Sequence, residues 1–125
     1  MLHGMSHAQE STTKSDQKTM SNLLEKLLAE RDWLLADGAT GTNLFNMGLT
    51  AGDAPELWND TAPEKIRKLY SGAVDSGSDI FLTNTFGGNA SRMKLHDAQS
   101  RVFELNKKGA EIGREIADSS GRQIV

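Results

Sequence analysis

Two short apolar runs, 32–37 (DWLLAD) and 78–84 (SDIFLTN), bracket a helix-patterned stretch, and each ends in polar residues. No other feature restricts the fold as much. Between them Ile66, Leu69, Tyr70, Ala73 and Val74 fall at i, i+3, i+4, i+7 and i+8, one apolar stripe on an amphipathic helix. Thr61 and Glu64 have capping-box spacing, Pro63 suits the first turn, and Gly77 ends the helix. Short apolar strands separated by helices of a dozen residues imply parallel pairing through right-handed crossovers. The expected pairing sets 33–36 beside 80–83.

The rest of the chain continues the alternation. Leu23, Leu24, Leu27 and Leu28 have helical spacing ahead of the first strand. After it, Thr40 or Thr42 can cap a short helix through Leu44, Phe45 and Met47, stopped at Gly48. A short helix is predicted over 90–95. A long one follows over 100–118, with Val102, Leu105, Ile112 and Ile116 on one face. Gly121 breaks it, and 122–125 (RQIV) reads as the start of a third strand. The class is α/β, and both a doubly wound sheet and a β/α barrel fit. Residues 1–19 hold one Leu among Met, small and polar residues, too little apolar area to offset ordering. They read as a disordered leader or an added extension, with the domain over 20–125.

Composition removes several function classes. The 125 residues carry a net charge of −3 with both signs interspersed, so there is no clustered basic face for nucleic acid. No apolar run approaches the roughly 20 residues that span a bilayer, so no membrane role is read. The chain has no Cys, hence no disulfide framework and no reactive thiol.

Parallel strands aim their C-terminal ends at one face, where ligand chemistry sits. Asp37, Gly38, Ala39, Thr40, Gly41 and Thr42 follow the first strand; Thr83, Asn84, Thr85, Phe86, Gly87, Gly88 and Asn89 follow the second. Either cluster alone is accounted for by turn and cap chemistry. Together at one face they also describe a crevice. A carboxylate heading a glycine turn suits an ammonium group, and free N–H groups at a helix start suit a carboxylate, so a small amino acid fits. GATGT is neither a dinucleotide fingerprint nor a P-loop. His96 reads as a surface residue and Trp58 as a loop anchor. Asp75, Asp79 and Glu104 read as solvated positions.

Three stretches, DGATGTNLFNMGL (37–49), APELWN (54–59) and GSDIFLTNTFGGNASRMKLH (77–96), resemble the N-terminal part of the homocysteine S-methyltransferase family. Betaine–homocysteine methyltransferase-like proteins look most similar. The resemblance covers 20–125 and implies the N-terminal portion of a (β/α)8 TIM-type barrel, with parallel strands and helical crossovers. It implies methyl transfer from betaine or a similar small donor to homocysteine, giving methionine, in a cytoplasmic enzyme. Asp37 and Gly38 would hold the amino-acid end of homocysteine, and Thr83, Asn84, Thr85 and Phe86 would form the adjoining wall. The family uses zinc held by three cysteine thiolates, which lowers the thiol pKa. With no Cys in this chain, zinc belongs to the complete barrel, and no catalytic or metal residue is assigned here. The chain alone is expected to be inactive, with open strand edges that favour self-association. The alternative is a standalone, non-catalytic β/α module for a small ligand or for subunit pairing.

Overall fold

The computed structural model describes residues 22–125; the leader expected over 1–19 lies outside the described residues. Helix α1 spans 22–30. Residues 35–124 form a compact unit of their own. It contains α2 (Thr40–Asn46), α3 (Trp58–Thr61) after a 3-10 turn at Pro55–Leu57, α4 (Pro63–Asp75), α5 (Ala90–Lys94), and α6 (Val102–Ser119) after a 3-10 turn at Gln99–Arg101. No helix among the described residues is long and apolar enough to cross a membrane.

The two expected strands do not form. Among the described residues the two apolar runs are extended segments joined by one parallel bridge, Ala36 with Ile80. Pairing is parallel, as the helical crossover demands, but the register differs from 33–36 against 80–83. Side-chain carboxylates stop the ladder at both ends. Asp37 N–H bonds Ile80 O at 3.0 Å, and Ile80 N–H bonds Leu35 O at 3.1 Å. The next donor on one side, Leu82 N–H, goes to Asp37 Oδ1 at 3.3 Å instead of a backbone carbonyl. On the other side Leu35 N–H goes to Asp79 Oδ2 at 3.0 Å. Each segment thus lends an Asp to the other. Asp79 is therefore not a solvated position; it is 4% exposed and lies 3.6 Å from Arg122 Nη1. Residues 122–125 form no strand, and Ile124 is buried in the core.

The α4 stripe forms as the spacing predicts. Ile66, Tyr70 and Val74 are buried with Leu44, Phe81, Ile112 and Ala117, and Leu69, Ala73, Ile116 and Trp58 pack at the edge. Trp58 also lies under Lys65 Nζ, 4.4 Å from the ring centroid. A second cluster of Ala54, Met93, Ala98 and Leu105 seats α5. Along the second segment Phe81 points into the core at 5.1 Å from the Tyr70 ring, whereas Leu82 is 71% exposed.

The helix starts differ from the capping expectations. Thr61 Oγ1 donates to Leu57 O, and α4 begins at Pro63 after Ala62, with no side-chain cap. Thr40 is the first residue of α2, after Ala39 in the left-handed region at φ 55°. Glu104 is paired: with Asp60 it meets Arg101 and Lys108, tying α3 to α6. The Lys108 and Arg101 hydrogen bonds hold the Asp60 carboxyl below its ordinary range, and the Arg101 and Lys108 bonds do the same for Glu104.

Helix α6 reaches the second segment because it presents glycines to it. A Cβ on Gly109 would lie 2.8 Å from Asn59 Nδ2 and 3.0 Å from Thr85 Cγ2. One on Gly113 would lie 3.1 Å from Thr83 Cγ2. Gly109→Ala is therefore expected to destabilise by about 1–3 kcal/mol through overpacking. Gly72→Ala, on α4 with nothing within 4 Å of its Cβ, is expected to stabilise by about 0.5–1 kcal/mol through helix propensity. Urea denaturation followed by far-UV circular dichroism checks the pair; equal effects at the two glycines would contradict the packing.

Candidate functional site

The first polar loop begins where the bridge ends. Among the described residues Leu82 N–H is the one donor to the Asp37 carboxylate. With Gly38, Thr40, Asn43, Lys68 and Asp75, Asp37 lines a crevice of about 640 Å³. The backbone turns through Ala39 rather than through Gly38 or Gly41, and a left-handed Ala is a mildly strained conformation.

The second loop is held from three directions. Asn84 is 4% exposed. Its Nδ2 donates to Pro55 O at 2.9 Å and to Asn59 Oδ1 at 3.0 Å, and its backbone N–H bonds Tyr70 Oη at 2.6 Å. Asn59 Nδ2 returns bonds to Asn84 O at 2.9 Å and Leu105 O at 3.0 Å. Tyr70 Oη lies 3.3 Å from Gly109 O, to which it donates. Burial pushes the Tyr70 phenol up to about 12; the Asn84 N–H opposes this, and the Asp37 charge adds to it.

Downstream, Glu56 Oε1 accepts from Gly87 N–H at 2.6 Å, and Asn106 Nδ2 donates to Gly88 O at 2.8 Å. Asn89 caps α5 by accepting from Arg92 N–H at 3.0 Å. Phe86 is 86% exposed, with the Arg92 guanidinium 5.1 Å from its ring. A second crevice of about 360 Å³ is lined by Thr40, Glu56, Asn84, Phe86, Arg92 and His96, among others. Thr40 lines both crevices.

The six expected site residues thus fall into three groups. Asp37 and Gly38 line the first crevice, and Asn84 and Phe86 line the second. The Thr83 and Thr85 hydroxyls lie 2.8 Å apart and bond each other, while their methyl groups face Gly113 and Gly109 of α6. Asn84 commits its amide N–H groups to Pro55 and Asn59, which makes it a structural hub. No sequence motif announces the roles of Glu56, Asn59 and Asn106. Glu56 and Asn59 sit three apart in APELWN, the spacing at which one helical turn places two side chains on one face.

The family model for homocysteine S-methyltransferase matches residues 34–125. The chain belongs to the homocysteine S-methyltransferase family. Methionine synthase of Mycobacterium tuberculosis is 32% identical over 115 residues, covering 87% of this chain and 10% of that protein. Methionine synthase of Mycobacterium leprae is 31% identical over 112 residues, covering 85% of this chain and 9% of its own length. Among solved structures, the homocysteine methyltransferase MmuM from Escherichia coli in its oxidized form matches with a TM-score of 0.63 and 27% identity, over 78% of this chain and 34% of that one. The chain therefore spans about a tenth of the curated relatives and about a third of the solved methyltransferase.

The zinc implied by resemblance to the homocysteine S-methyltransferase family does not fit the residues present. No group of three or more His, Asp or Glu able to hold a metal occurs among the described residues, and the sequence has no Cys.

Tyr70 is the only tyrosine in the chain, so phenolate absorbance reads it alone. Its midpoint is expected near 12 in the folded chain and near the ordinary value of about 10 in denaturant. A raised folded pKa means this contribution to stability is full below pH about 10 and is lost as pH rises toward 12. A midpoint near 10 without denaturant would place Tyr70 in solvent and contradict the hub.

Proposed function

We propose that this chain supplies the homocysteine-binding portion of a methyltransferase that passes a methyl group from betaine or a similar small donor to the homocysteine thiol, giving methionine. The observation that carries this reading is the Asp37 carboxylate beside Gly38 at the rim of the larger crevice, with Leu82 N–H as its one donor among the described residues. A carboxylate with an uncommitted oxygen suits the substrate ammonium. Lys68, lining the same crevice, offers a counter-charge for the substrate carboxylate. In this reading the homocysteine thiol first loses its proton to solvent, its thiolate sulfur attacks the methyl carbon as the bond from that carbon to the donor's nitrogen breaks, and the electron pair leaves with the donor. Phe86, on the second crevice that meets the first at Thr40, forms the adjoining wall, and Thr83, Asn84 and Thr85 frame it. The part of this chain is to bind and orient the amino acid.

The same reading takes residues 35–124 as the first units of a TIM-type barrel working in the cytoplasm. Leu35 and Leu82, 42% and 71% exposed beside the single bridge, would be covered once further strands complete the sheet. In the isolated chain that edge would pair with a second copy.

Titration calorimetry with L-homocysteine tests the binding role. Asp37→Asn is expected to weaken binding by roughly tenfold or more, the loss of one hydrogen bond between charged groups. Added zinc is expected to leave binding unchanged, and the chain alone is expected to form no methionine. Equal affinity for the wild type and Asp37→Asn would contradict the assignment.

A further inference from the structure

We infer that Glu56 is a positioning residue: its buried carboxylate fixes the Phe86–Gly87 turn through the Gly87 N–H, and so fixes where Phe86 stands at the rim of the second crevice, which adjoins the homocysteine crevice at Thr40. Glutamate is seldom buried unless paired, yet Glu56 is 4% exposed and meets no cation among the described residues. Burying a charge without donors is costly. The one donor among the described residues is Gly87 N–H, at 2.6 Å, the short separation of a charge-assisted bond.

The local sequence suits that approach. A Cβ on residue 87 would lie 2.8 Å from Glu56 Oε1, so glycine lets the carboxylate come this close. On the opposite side Asn106 grips Gly88 O from α6, and a Cβ on residue 88 would collide with that amide. Two side chains, from the Pro55–Leu57 turn and from α6, therefore clamp successive residues of one turn. Phe86 immediately precedes the clamp. At 86% exposure it has little packing to direct it, so its position follows from the backbone. Glu56 and Phe86 line the same crevice.

The consequence for homocysteine rests on the function proposed above, so the test has a separate arm for the turn itself. Amide hydrogen exchange at Gly87 and calorimetry with L-homocysteine are measured on the full chain, on Glu56→Ala and on Glu56→Gln, which keeps an acceptor. Glu56→Ala is expected to speed Gly87 exchange and weaken homocysteine binding, each by roughly tenfold or more, the scale of a lost bond to a charged group. Glu56→Gln is expected to restore most of both. Unchanged Gly87 exchange in both variants overturns the inference. If the unmodified chain does not bind homocysteine, the functional reading fails, and Gly87 exchange alone decides the positioning role.

Discussion

Two buried side-chain amides, Asn59 and Asn84, join the parts of this protein that secondary structure leaves unjoined. The extended segment carrying Phe81 and Leu82 has one bridge to its neighbour and cannot be held by a ladder. Its C-terminal end is fixed by side chains instead. Asn84 reaches Pro55 and Asn59, Asn59 reaches Asn84 and Leu105, and Tyr70 accepts from the Asn84 backbone. Backbone of the 54–59 stretch, of the second polar loop and of α6 thus converges on two amides, and α4 contributes a phenol. Buried polar networks of this kind specify one arrangement when satisfied and are costly when broken.

The same logic runs outward. The reciprocal Asp37 and Asp79 bonds end the bridge on both sides and point each extended segment's carboxylate at the other. Glycines on α6 bring the threonine methyl groups within reach. Glu56 and Asn106 then clamp the glycine pair, and Asn89 starts α5. The apolar core beneath, from Leu44 through Tyr70 and Phe81 to Ile124, supplies the burial that makes these polar bonds strong.

Much of this was legible in the sequence. The α4 stripe, the long α6, the parallel relation of the two apolar runs and the glycine stops at Gly48, Gly77 and Gly121 follow from periodicity and from positive φ. The family followed from three motifs in order. The apolar runs overstate strand content because they report burial, not ladders. Whether a neighbouring N–H meets a carbonyl or an aspartate is a tertiary matter that a run such as DIFLTN does not encode. Asp79 and Glu104 look solvated in the sequence for the same reason: their partners, Leu35 N–H for the one and Arg101 and Lys108 for the other, are set by the approach of elements. At the site, the six expected residues lie in or beside the two loops, but their roles differ. The hub function of Asn84 depends on Asn59 and Tyr70, 25 and 14 residues away, and no local pattern announces it.

A double-mutant cycle between Asn59→Ala and Asn84→Ala, read by chemical denaturation, tests this account most directly. The two singles and the double should show a coupling on the order of 1 kcal/mol or more, because each amide is the other's buried partner. Additivity within about 0.3–0.5 kcal/mol would mean that the amides act independently, and would contradict the claim that their pairing holds the site loop in place.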